Sequence, residues 1–372
     1  MPFSPDPTPA EARHLAAARR LLELRQMRES LAVARRQPSL RNSILVGVQA
    51  ALTVLIALSA TYMSPWPQLV GYASLGSLVA LFGRFSSRRG RRGVLVLSAL
   101  TQTGGVVLMS AATALGAPKE VQLAVLALFC GVAVFIAATG RVGAPGPLIF
   151  AFAAGASMVP VAGWTEVAER GLATGAVSIV ALLVCLATEP LRQQPTPERA
   201  FPVEPLRPAS HRAVAAARIA FGAAVAAFAT HAVGAAHPAW AALGAVAVLQ
   251  GAHLHISMNR ALQRMAGTLV GGVMVWFVLS AQPGIWQVIW MLAFLQIATE
   301  LVIGYNYAFG QAFVTPMALL TSYLAAPGAA GAEMAPERVL DTLIGASIGM
   351  VAALILSTID DRAFLARHAG GK

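Results

Sequence analysis

Glu300, in the run LQIATELVIGYNY, is the acid set deepest inside an apolar stretch of this chain. An ionised side chain at the centre of a bilayer costs about 2.5 to 3.5 kcal/mol even on insertion scales, so the residue needs a reason. It reads either as a proton carrier whose charged form burial disfavours, or as a carboxylate that reaches the cytoplasmic interface or pairs with an arginine of a neighbouring helix. Asp341 is the second proton-coupling candidate. It follows Arg338 by three residues at the head of the last apolar run, where a helix dipole also favours an acid. A third group could hold a ligand: Trp240, Gln250, Arg260, Arg264 and the triplet Tyr305-Asn306-Tyr307. Arginine grips a carboxylate through two parallel hydrogen bonds, and aromatic rings stack on a planar body. Singly, each has a structural reading, because inward-facing loops demand arginines and interfaces collect tyrosines.

Other chemistries are not indicated. His253-x-His255 puts its imidazoles on different helix faces, and no other spacing suits a metal, so no metal site and no cofactor are expected. No glycine loop ends in Lys-Ser or Lys-Thr, so ATP does not drive this chain directly. Cys130 and Cys185 fall inside apolar runs, where thiols act as small apolar side chains. No nucleophile and base constellation is legible, and the chain is not expected to be an enzyme.

The elements that must position these residues are membrane helices. The chain is 57% hydrophobic and 12% charged with a mean hydropathy of +0.68, against about 25% charged in soluble domains. Six apolar runs between Ser43 and Thr188 and six between Ala213 and Ile359 approach the ~20 residues a bilayer demands. The expected fold is all-α, a polytopic membrane protein of about twelve transmembrane helices in two parallel six-helix repeats. Its parts are a cytoplasmic amphipathic segment (1–42), a first repeat (43–190), a proline-rich linker (191–212), a second repeat (213–359) and a tail (360–372). Within the first segment, Ala10–Arg36 reads as a helix able to lie on an anionic leaflet.

The net charge of +11 does not point to nucleic acid, because 24 of the 27 Lys and Arg fall in alternate loops. That asymmetry places both termini in the cytoplasm, and the Arg-rich, Ala-rich composition suggests a bacterial inner membrane. No cleavable signal peptide is expected. The expected partners are the bilayer and a small organic anion, with a homo-oligomer left open. The halves match at an offset of 174, pairing Trp66 with Trp240, Gly93 with Gly267, and Gly171 and Gly175 with Gly345 and Gly349.

HPAW, VLQ, NRALQRMAGT with Gly271-Gly272, GYNYAFGQAFVTPMALL and ERVLDTLIGA occur in that order in the second half. This half resembles the membrane domain of the fusaric acid resistance (FUSC) family of aromatic acid exporters. The resemblance implies a secondary transporter exporting organic anions, aromatic carboxylates in particular. It also strengthens a functional reading of Arg338, Asp341 and Thr342. Within residues 191–212 and 360–372 no counterpart of the large cytoplasmic domains of bigger family members is expected, and Gly251 stands where the family commonly has proline. Three alternatives stay open: a passive anion channel, a major-facilitator-type transporter suggested by Gly83 to Arg92, in which Ser87 replaces an aspartate, and a scaffold that moves nothing.

Overall fold

The computed structural model describes residues 38–196, 201, 206–250, 254–325 and 331–355, with the side chains of 254–257 excepted. The Ala10–Arg36 segment, His253, the His255 side chain, the middle of the linker and the tail lie outside the described residues. All the elements described are helical. The first half contains α1 (Leu40–Tyr62), α2 (Val70–Ser77, flanked by 3-10 turns from Pro67 to Leu81), α3 (Arg88–Ala114), α4 (Lys119–Thr139), α5 (Pro147–Ala156) and α6 (Trp164–Ala187). The second contains α7 (Ala209–Ala232), α8 (Pro238–Leu249), α9 (Leu254–Ser280), α10 (Ile285–Val302), α11 (Tyr307–Ala325) and α12 (Met334–Ile355).

Eight of these are long and apolar enough to cross a membrane: α1, α3, α4, α6, α7, α9, α10 and α12. The chain is therefore an all-helical, polytopic membrane protein. The exceptions fall in matched places, second and fifth in each half. With twelve residues, α8 rises about 18 Å at 1.5 Å per residue, short of the ~30 Å hydrocarbon layer. Its partner α5 is shorter still, and α11 is interrupted by Pro316. All residues of α2 and α8 are buried. Exposed Leu100, Leu128, Leu183, Phe277 and Phe294 ride on the long helices. The long helices thus meet lipid and wrap the short ones, whose irregular ends are tolerable only inside protein.

Two helix starts differ from the sequence reading. The arginine block after Gly83 is not all loop: α3 begins at Arg88, with the Ser87 hydroxyl accepting from the Gly90 N–H at 3.2 Å as its N-cap. That gives Ser87 a local role in place of the missing aspartate. Likewise Arg260 and Arg264 lie on α9, not in a turn before it. The stretch SMNRALQRMA is rich in good helix formers, and two arginines do not outweigh that propensity.

Helices pair across the halves as well as within them. Helix α1 packs on α10 and α7 on α4, while α2 touches α11 and α5 touches α8. Inside the halves α2 packs on α6 as α8 does on α12, and α3 on α6 as α9 on α12. For the α2–α6 and α8–α12 pairs the matching spacing is 168, not 174. Tyr72-Ala73-Ser74-Leu75-Gly76 corresponds to Trp240-Ala241-Ala242-Leu243-Gly244, and Glu169-Arg170-Gly171-Leu172-Ala173-Thr174 to Glu337-Arg338-Val339-Leu340-Asp341-Thr342. Contacts follow this register: a Cβ added at Gly76 would lie 2.5 Å from the Thr174 carbonyl oxygen, and one at Gly244 3.1 Å from that of Thr342. Trp66 is 53% exposed and Trp240 6%, so those two tryptophans are not counterparts.

Candidate functional site

Alternate loops gather at two ends. At the arginine-rich end the heads of α1 and α3, the loop after α2 and the tail of α6 meet around buried charge. Arg91 donates to Glu189 at 2.7 Å and to Gln49 at 2.7 Å, and Arg192 donates to the same Glu189 at 2.7 Å. Burial pushes the Glu189 carboxyl up, but hydrogen bonds and charge from Arg192 and Arg91 outweigh this and hold it below the usual carboxylate range. Arg84, in the loop after α2, forms an ion pair with Glu300 on α10. The acid singled out in the sequence is therefore paired, and the pair joins the two halves.

Near the opposite end, Arg170 on α6 is equally well supplied. It binds Glu166, one turn back, at 2.6 Å, donates to the Pro160 carbonyl at 2.6 Å and to that of Val159 at 3.3 Å, and lies 4.8 Å over the Tyr72 ring. Thus, among the described residues, each buried arginine of the first half and of the start of the linker, Arg84, Arg91, Arg170 and Arg192, has a carboxylate.

The second half is built differently. Arg338, the counterpart of Arg170, is 3% exposed and sits 5.2 Å over the Trp240 ring, yet its Nε and Nη1 have no hydrogen-bond partner. Asp341, also buried, makes no ion pair with it among the described residues. The Thr342 hydroxyl is unpartnered, while its counterpart in Thr174 donates to the Tyr72 carbonyl at 3.2 Å. His237 stacks on Trp240 at 4.3 Å and contacts Glu337 at 2.8 Å. A cavity of about 100 Å³ opens beside these rings, between the halves, lined by Lys119, Met158, His237, Trp240, Ser322 and Met334 among others.

Arg264, 2% exposed on α9, donates to Gln311 on α11 at 3.5 Å and also lacks a carboxylate among the described residues. Its Nε is unpartnered, as are Gln311 Nε2 and Gln250 Nε2. Among the described residues, half of the second half's buried polar atoms without a hydrogen-bond partner are N–H donors, on Gln250, Arg264, Gln311 and Arg338, which an anion would satisfy.

Of the residues nominated from sequence, Gln250 and Arg264 therefore carry unpartnered donors in the second half, while Arg338 lies over Trp240 with Asp341 three residues on. Trp240 belongs to the other end, at the head of α8. Arg260 is half-buried, Tyr305 is exposed and Tyr307 half-buried. Asn306 has a structural job: its Oδ1 accepts from the N–H groups of Ala308 at 2.9 Å and Phe309 at 3.3 Å, capping α11. Sequence reasoning passed over His237, Gln311, Met334 and Lys119. For Met334, the doubled ERGLAT and ERVLDT at spacing 168 would have drawn attention to the right helix.

A family model described as fusaric acid resistance protein-like matches residues 222–352. The chain is 32% identical over 117 residues to an uncharacterized membrane protein, YvaC, of Bacillus subtilis (strain 168), an alignment covering 32% of this chain and 18% of that protein. The chain therefore spans under a fifth of the length of that curated relative. No solved structure matches. The matched segment begins in α7 and ends in α12 and encloses Arg264 and Arg338, so the second half of this membrane protein is similar to fusaric acid resistance proteins over that stretch.

Proposed function

We propose that the chain is a secondary transporter that exports organic anions, aromatic carboxylates among them, across a bacterial cytoplasmic membrane, with its arginine-rich end inside. The observation that carries this reading is the contrast in contact pairing: among the described residues the family-matched half keeps Arg264 and Arg338 buried without a contact ion pair, Asp341 lying three residues from Arg338, while Arg84, Arg91, Arg170 and Arg192 each have one. A buried charge left unpaired is strongly destabilising, by about 3 to 5 kcal/mol when a partner is removed. A protein that keeps two such charges gains from an anion that visits them. Short or proline-interrupted helices in corresponding positions of the two halves are also where substrate sites of repeat-built transporters form.

In this reading the inward mouth is basic and concentrates anions. Gln250, Arg264 and Gln311 receive the carboxylate from the inside, and Arg338 with Trp240 receives it towards the outside. Asp341, buried one turn from Arg338, is the acid placed for proton coupling, and Glu300 is assigned to joining the halves. The test is accumulation of labelled benzoate in everted membrane vesicles. Uphill uptake that a protonophore collapses, and that loses its pH dependence in Asp341→Asn, is the expected result. Ohmic benzoate currents through purified protein would instead mark a passive channel, and no benzoate movement at all would overturn the reading.

A further inference from the structure

We infer that the groove between the head of α1 and the turn after α6 binds an anionic phospholipid, with one acyl chain lying in the groove and the phosphate against Arg41. The groove has a volume of about 490 Å³ and is lined by Leu40, Arg41, Ile44, Leu45 and Val48 of α1 and by Leu191. That volume lies within the ~300 to 1,000 Å³ of sites that hold small molecules. Such a site is independent of what the protein transports.

Residues four apart share a helix face, so Leu40, Ile44 and Val48 form one stripe, which continues through the exposed Leu52 and Ile56. Helix α1 is a membrane span, and this stripe is its lipid side. The other wall is fixed in place. Leu191 closes the 3-10 turn Glu189–Leu191, whose Glu189 is held by Arg91 and by Arg192 at 2.7 Å each, while Thr188 accepts from Gln49 on α1 at 2.6 Å. Just beyond, the Gln193 N–H donates to Asn42 at 2.8 Å, and the Gln193 side chain accepts from Ser39 at 2.7 Å. These bonds hold the turn against α1 and leave Leu191 itself exposed. A groove built beforehand loses little conformational freedom when it fills.

Charge selects the occupant. Every lining residue but Arg41 is apolar, and the exposed Arg41 guanidinium has no ion pair, hydrogen bond or ring contact among the described residues. Arg212, near the head of α7, is by contrast engaged, donating to Thr139 and lying 5.2 Å over the Phe135 ring. Arg41 also stands in the first turn of α1, where the helix dipole disfavours a cation and favours an anion beside it. An apolar chain with a negative head answers all of these features. The segment preceding α1 fits less well, because its last charges, Arg35 and Arg36, have the same sign as Arg41. One basic residue near a membrane surface gives roughly a fivefold preference for anionic lipid.

The full chain, reconstituted in phosphatidylcholine vesicles, can be irradiated with photoactivatable phosphatidylglycerol or phosphatidylcholine of the same chain length, and the labelled residues mapped by mass spectrometry. Labelling is expected on residues 40–48 and on Leu191, about fivefold stronger with phosphatidylglycerol. Arg41→Gln should bring the two probes level, and Ile44→Trp, which fills the groove, should remove the labelling there. Arg88→Gln, at the head of α3, should change neither. Equal labelling of the wild type by both probes, undiminished labelling in Ile44→Trp, or the same loss in Arg88→Gln as in Arg41→Gln overturns the inference. Displacement of the label by millimolar inorganic phosphate would mark a free-anion site and overturn it too. So would efficient disulfide formation in the Leu24→Cys, Leu45→Cys double variant, which would put the preceding segment in the groove.

Discussion

Arg170 and Arg338 occupy the same place on equivalent helices, each laid over the aromatic ring of a short buried helix. Around Arg170 the remaining hydrogen-bonding capacity is taken up by Glu166 and two backbone carbonyls; around Arg338 it is not. The closed copy shows that the packing calls for a guanidinium on an aromatic face. From the open copy it follows that the carboxylate is not needed to set that packing. On the reading proposed above, one copy serves as a strut and the other as a receptor on similarly packed helices.

The contrast can be attacked most forcefully where compensation is densest. Glu189→Gln leaves Arg91 and Arg192 facing each other without an acid, and should lower stability by about 3 to 5 kcal/mol in thermal unfolding of the purified protein. Acid should mimic it. The Glu189 carboxyl is held below the ~4.3 of free glutamate, so its contribution is complete above that pH and is lost as pH falls through the lower folded value.

Next in size, Arg338→Gln should weaken benzoate binding by roughly 10- to 100-fold, the worth of a charge-assisted hydrogen bond of about 1.5 to 3 kcal/mol, with little change in unfolding temperature. Arg170→Gln should do the opposite, lowering the unfolding temperature and sparing affinity. If both variants behaved alike, the distinction between strut and receptor would collapse. Smallest is Trp240→Tyr, which copies the first half's ring: a cation–π contact worth about 0.5 to 2 kcal/mol is reduced but not removed, so affinity should fall no more than about threefold. Trp240→Leu, which removes it, should cost more.

The fold class is legible in hydropathy and arginine spacing alone, because a bilayer permits few architectures. The short helices are harder to see. Apolar residues continue on both sides of α2, so a window of span length sees no break there, and α8 reads as a short span ending at Gln250. The site is half legible. Arg264 and Gln250 stand out as polar residues beside apolar runs, but Arg338 reads as an ordinary partner for Asp341, since residues three apart on a helix face each other. Only the packing of α12 on α8 turns that guanidinium onto Trp240. Glu300 is conspicuous for the right reason, its burial, but its partner Arg84 lies 216 residues earlier and no local spacing announces it.

That long separation has a consequence for how the chain is made. Helices α1 and α7 each pack on the fourth helix of the other half, and Arg84 meets Glu300 only after α10 has been synthesised. A nascent chain halted after α6 therefore holds a seam without its partner and an arginine without its acid. Contacts so distant in sequence form late. Quality control in the membrane meets every first half as an incomplete product, and the two halves expressed as separate fragments would have to find each other before either was finished.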